Sequence, residues 1–120
     1  MSVQIVLDLT QSFNDSGSIV KIDTGGFDYS VVQLVNPDGA VSFFHTNDAG
    51  DVQSVSDGSA TSSTNYVALQ GVDLSSGTAV TSLATSGLVR FQSYGRFLEL
   101  DGTASGVTVD KLLVRLYKIH

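Results

Sequence analysis

The chain has 120 residues, 42% of them hydrophobic, and a formal net charge of −6. That length suits a single domain with a core of its own. The absence of Cys excludes a disulfide framework or a thiolate metal site, and an acidic balance without a basic cluster argues against a nucleic-acid partner, which needs several phosphate-neutralising cations on one face. Charged residues are sparse, at 15%, while Gly, Ser, Thr, Val and Asp are frequent. Such a composition favours strands joined by turns over long surface helices.

Val3, Ile5, Leu7 and Leu9 alternate with Gln4, Val6, Asp8 and Thr10, the period of a first strand. This opening lacks a basic leader and carries Asp8 within its apolar run, so it reads as a strand and not as a signal peptide. No apolar run approaches membrane-spanning length, and no membrane partner is expected. Residues 12–18 (SFNDSGS) are a turn cluster, and residues 19–23 a short second strand ended by Thr24, Gly25 and Gly26.

Residues 28–35 and 40–46 are expected to pair as a hairpin around Asn36, Pro37, Asp38 and Gly39, where Pro37 presets φ for the turn. In that register Tyr29, Val31, Gln33, Val35, Val41, Phe43 and His45 share one face; Val32, Leu34, Ser42 and Phe44 share the other. Both faces carry large apolar groups, unlike a one-sided antiparallel hairpin. Either the hairpin is covered on both sides or one face meets another subunit. Tyr29, Val31, Val35, Val41 and Phe43 are the candidate interface, since each large apolar side chain gains roughly 1.5–3 kcal/mol on burial and a contiguous patch usually marks a contact surface.

Residues 47–65 form a long polar connection, a candidate contact segment. Asn47, Asp48, Asp51 and Asp57 could offer oxygen ligands to Ca²⁺, but their spacing is not that of an EF-hand. Asx-turns are the preferred account of them, and of Asn14 and Asp15. Neither a metal nor a cofactor is therefore expected. Residues 66–74 make a further strand, and residues 78–86 (TAVTSLATS) an irregular or extended one.

Residues 87–101 (GLVRFQSYGRFLELD) alternate on both sides of Tyr94 and Gly95. As a hairpin they would set Phe91 against Leu98, Val89 against Leu100 and Arg90 against Glu99, with apolar pairs on one face and opposite charges on the other. After a Gly/Ser/Thr loop, residues 110–119 alternate Leu112, Val114 and Leu116 with Leu113, Arg115 and Tyr117. About eight short strands with turns between them indicate an all-β fold: an antiparallel β-sandwich, jelly-roll-like, formed as one domain over residues 1–120. An immunoglobulin-like sandwich is the second choice, lacking its usual Cys pair and core Trp.

Catalytic chemistry finds little support. Nucleophilic catalysis needs a base beside the nucleophile, and the two histidines are His45 on a strand and His120 at the last position. Paired-carboxylate hydrolysis needs two carboxyls across a cleft, yet Glu99 already has a partner in Arg90, and the aspartates sit in turns. Tyr29, Tyr66, Tyr94 and Tyr117 could stack sugars if exposed together; core packing is the simpler role.

The runs Gly87-Leu88-Val89-Arg90-Phe91, Gly95-Arg96-Phe97-Leu98-Glu99-Leu100 and Lys111-Leu112-Leu113-Val114-Arg115-Leu116-Tyr117 resemble the closing strands of small virion proteins of tailed bacteriophages. The resemblance covers about the last 35 residues. It implies a small β-sandwich accessory protein without enzymatic activity: a capsid decoration, head-fibre or tail component. Such a protein would be located in the virion and bind the major capsid protein or other virion proteins across subunit boundaries. The two-sided apolar hairpin of residues 28–46 predicts a homo-oligomer, and the resemblance favours a trimer over a dimer only because icosahedral surface proteins often occupy threefold sites. The alternative is a carbohydrate- or receptor-binding sandwich of a tail or fibre.

Overall fold

The computed structural model describes residues 2–25, 27–47, 66–92 and 94–119. Among the described residues, eleven strands and one short helix follow in chain order: β1 (Ser2–Asp8), α1 (Thr10–Asp15), β2 (Ile19–Asp23), β3 (Tyr29–Val35), β4 (Val41–Thr46), β5 (Val67–Ala68), β6 (Gly71–Asp73), β7 (Ala79–Val80), β8 (Ser82–Leu83), β9 (Gly87–Phe91), β10 (Phe97–Asp101) and β11 (Lys111–Ile119). They form two antiparallel sheets packed face to face. The first has the order β1-β11-β3-β9-β6-β7; the second runs β2-β10-β4-β5, with β8 also on β4.

The wiring is that of a jelly roll. β1 ladders with β11, β2 with β10, β3 with β9 and β4 with β5. These pairs nest like the rungs of one long ribbon, and successive pairs fall in alternate sheets, so the ribbon is rolled into a sandwich.

Neither expected hairpin exists. β3 lies between β11 and β9 in the first sheet, while β4 pairs with β10, β5 and β8 in the second. The chain crosses between sheets at residues 36–40. Asn36 adopts φ 50° there, and the Asp38 carboxylate accepts bonds from the backbone N and the Oγ1 of Thr108. β9 and β10 are likewise split between sheets, so Arg90 does not face Glu99. Within one sheet Val32 and Val41 would fall on opposite faces. In two facing sheets both point into the same core, which explains the two-sided apolar pattern of residues 28–46.

That core contains Val32, Leu34, Val89, Phe91, Leu112, Val114 and Leu116 from the first sheet. Val20, Ile22, Val41, Phe43, Leu98 and Leu100 come from the second. Phe43 meets Phe91 edge-on across the layers, with centroids 5.1 Å apart, a favoured aromatic geometry. The expected turn over residues 12–18 begins as α1. Phe13 N donates to Leu9 O, and the buried Leu9 and Phe13 close this end of the core. The spacing of four residues puts both on one side of the helical turn.

The two outer faces differ. On the second sheet Lys21, Thr46, Phe97 and Glu99 are buried. On the first sheet the outward side chains stay half-buried or exposed.

Candidate functional site

The outer face of the first sheet is built by register. One row across it runs Val6, Arg115, Val31, Arg90, Val72, each directly opposite the next. The neighbouring row runs Asp8, Leu113, Gln33, Leu88, and Leu74 joins it through its backbone N bonded to Leu88 O. On the other side Gln4 opposes Tyr117, which opposes Tyr29. Side chains alternate sides along a strand, so these rows face away from the core whose residues lie between them.

The result is an apolar surface that carries two arginines, Arg90 and Arg115. Val6, Val72, Leu74 and Leu88 are exposed, Val6 by 53%. Val6, Leu74 and Leu88, with Val31, Gln33 and Leu113, line a shallow groove beside Arg115 and Tyr117. Tyr29 and Tyr117 stack at 4.4 Å with nearly parallel rings. Arg115 Nη1 donates to Tyr117 Oη at 3.2 Å. The Nε of Arg90 is buried without a hydrogen-bond partner. Arginine beside aromatic and aliphatic groups on an open face is the composition of a contact surface.

The five candidate interface residues divide. Tyr29, Val31 and Val35 lie on this outer face and are half-buried. Val41 and Phe43 do not: both are fully buried in the core, because β4 belongs to the opposite sheet and turns them inward. The sequence reading missed Val6, Val72, Leu74, Leu88, Leu113, Arg90 and Arg115. Their signal was the second phase of each alternation, visible at Leu113, Arg115 and Tyr117 in β11 but assigned no surface.

The remaining chemical candidates are engaged elsewhere. His45 Nδ1 accepts the Gly95 N–H at 2.8 Å, and burial pushes its pKa down. Glu99 pairs with Lys21 at 3.8 Å, not with Arg90. Asp8, Asp23, Asp73 and Asp101 each accept the N–H two residues ahead, the geometry of Asx-turns. Asn14 is bonded both ways to the Val109 backbone. Asn47 Oδ1 accepts the Arg96 N–H, while Asp48, Asp51, Asp57 and His120 lie outside the described residues. Among the described residues no group of three or more His, Asp or Glu is arranged to hold a metal. The tyrosines do not gather: Tyr66 lies beside Lys21 of the second sheet, and Tyr94 packs against the core.

No protein-family model and no curated protein matches the chain. Its fold is similar to that in the crystal structure of the SPBc2 prophage-derived protein YomS, with a TM-score of 0.63 and 14% sequence identity. The match covers 98% of this chain and 93% of that one. At that identity the likeness is one of fold.

Proposed function

We propose that the chain is a non-enzymatic structural protein of a bacteriophage particle, a capsid decoration or other particle-surface protein that binds across the boundaries of its virion partners. The observation that carries this reading is the open outer face of the first sheet, where Val6, Val31, Leu88 and Leu113 surround Arg115. Its chemistry fits a protein surface that is apolar with carboxylates: the valines and leucines supply area, and Arg90 and Arg115 supply register. The likeness in fold to a prophage-derived protein supports the same setting. Two arginines among aliphatic side chains are too few for a nucleic-acid track. The glycan-binding alternative calls for clustered exposed aromatics beside loops; here Tyr29 and Tyr117 stack on a sheet face, while Tyr66 and Tyr94 lie apart from them.

Peptide mapping of purified mature particles tests the proposal. The chain is expected among the virion proteins, and its absence from mature particles would overturn the reading. A folded Leu88→Asp variant should be lost from the particle, while a glycan array should show no binding.

A further inference from the structure

We propose that β1 pairs antiparallel with β1 of a second copy of this chain, joining the two six-stranded sheets edge to edge in a two-fold dimer. Among the described residues, β1 stands at the end of its sheet and ladders with β11 alone. Leu9 N donates to Leu112 O at 2.9 Å, which sets the alternation of the ladder. Leu7 and Ile5 point their backbone groups at β11, so Gln4, Val6 and Asp8 turn their N–H and C=O groups outward.

Such an edge is a template for another strand, and folded proteins usually blunt it with short length, charge or proline. The other sheet ends follow that rule. β5 and β7 are two residues each, and β2 carries Lys21 and Asp23. Between Gln4 and Leu7, β1 has no charge and no proline. Ile5 and Val6 are 40% and 53% exposed, on opposite sides of the strand.

The segment is also complementary to itself. With the two-fold axis at Val6, each Val6 meets its own symmetry mate. Ile5 then lies opposite Leu7 of the partner subunit, and Gln4 opposite Asp8 of the partner subunit. Both exposed apolar residues gain apolar neighbours, and no like charges meet. Main-chain pairing supplies affinity and the alternating side chains supply register. Because the two copies use the same surface, the contact closes at two subunits. The self-association expected from sequence was argued from a hairpin face, and two of its residues, Val41 and Phe43, lie in the core instead. Edge pairing also makes the two outer faces continuous, with Val6 at the seam.

The test uses the full chain in solution. Light scattering should give twice the chain mass, and amide exchange should show Gln4 and Val6 protected like Ile5 and Leu7. Val6→Pro removes an outward N–H that the monomer does not use, and edge strands accept proline. This variant should halve the mass with unchanged circular dichroism, whereas Val6→Thr should remain dimeric. A monomer at the highest soluble concentration would overturn the proposal. So would a dimer in which the Gln4 and Val6 amides exchange freely, since the contact would then lie elsewhere. Should Val6→Pro unfold the chain, exchange in the wild type decides alone.

Discussion

Lys21 Nζ lies 3.8 Å from Glu99 Oε1, with both side chains nearly enclosed. The two residues sit directly opposite each other in the β2–β10 ladder, on the outer side of the second sheet. The Tyr66 ring approaches the ammonium to 5.3 Å. Burial is the main influence on Glu99. With a smaller push from Asp101, and against the pull of Lys21, it raises the carboxyl pKa from 4.5 to about 7.

This perturbation makes stability fall as pH rises. The folded state holds the Glu99 proton where the unfolded chain has released it, so the contribution is complete below about pH 4.5 and lost as pH climbs through about 7. Its size is on the order of 3 kcal/mol, because each tenfold gain in proton affinity is worth about 1.4 kcal/mol. His45 acts in the opposite sense: its pKa is lowered by burial, so its contribution is present above its unfolded pKa and lost at lower pH. Urea midpoints from pH 5 to 8 for the wild type and Glu99→Gln separate the two. The wild type should lose stability relative to the variant as pH rises; parallel profiles would refute the assignment.

Removing the cation should cost more at high pH. At pH 8 Lys21→Met leaves an ionised Glu99 enclosed without its partner, a change worth roughly 3–5 kcal/mol. At pH 5 the carboxyl is protonated and the loss should shrink. Replacing both residues by apolar side chains should restore much of the stability. A pH-independent loss in Lys21→Met would show that Glu99 stays neutral throughout.

The two aromatic rings that meet between the sheets predict a contrast with the outer face. Phe43 is fully buried against Phe91, so Phe43→Ala should cost about 3–5 kcal/mol, and Phe43→Asp should not fold. Val31 faces outward between Arg115 and Arg90, so Val31→Asp should fold with a nearly unchanged melting temperature. Equal destabilisation by the two aspartates would mean that the outer face is covered within the monomer.

Much of the architecture was legible in the sequence, and the missing part has a physical cause. Alternation located most of the strands and the inward set Val32, Leu34, Val89, Leu98 and Leu100, because period two follows from the strand itself, but it grouped Phe44 with Val32 and Leu34, and Phe44 is half-buried on the outer side of β4. Alternation does not say which strands pair. Val89, Phe91, Leu98 and Leu100 can share a core as neighbours in a hairpin or from facing sheets, and a turn around Gly95 is compatible with both. The interface suffered for the same reason. Tyr29, Val31 and Val35 were placed on the outward phase of β3, but joining β4 to that phase brought in Val41 and Phe43. The neighbours of Val31 on the outer face, Arg115 and Arg90, come from residues far along the chain, and local pattern carries no such information.

Gly71 marks one contact that only the packed structure reveals. A Cβ there would stand 2.6 Å from both Phe91 Cε1 and Val89 Cγ1, since Gly71 lies where β6 crosses the core side chains of β9. Gly71→Ala should cost about 1–3 kcal/mol through overpacking. The same change at Gly77, with no atom within 4 Å, meets no such clash, although its φ of 74° makes a side chain costly there for a different, conformational reason. Pairing each with Phe91→Leu distinguishes them: a smaller, aliphatic neighbour should relieve part of the first loss, Val89 still being in place, and leave that of Gly77→Ala untouched.

The last prediction concerns Asn14, whose side chain fastens α1 to the segment before β11. Its Nδ2 donates to Val109 O at 2.9 Å, and its Oδ1 accepts Val109 N–H at the same distance. Val109 is buried, so its backbone groups have little access to water when the amide is removed. Asn14→Ala strands a donor and an acceptor together. Leaving a buried polar group unpaired costs about 1–3 kcal/mol, and that is the expected loss in denaturant midpoint stability. Asn14→Asp is the sharper test. At neutral pH the carboxylate still accepts the Val109 N–H but meets the Val109 carbonyl without a proton to offer. Protonation supplies that donor, so the folded state should raise the new carboxyl's pKa. The variant should accordingly recover stability relative to wild type as pH falls toward 4. An Asn14→Asp profile parallel to wild type, together with a loss below 0.5 kcal/mol in Asn14→Ala (the order of an ordinary surface change, roughly ±0.5 kcal/mol), would show that the clasp contributes nothing to holding α1 over the core.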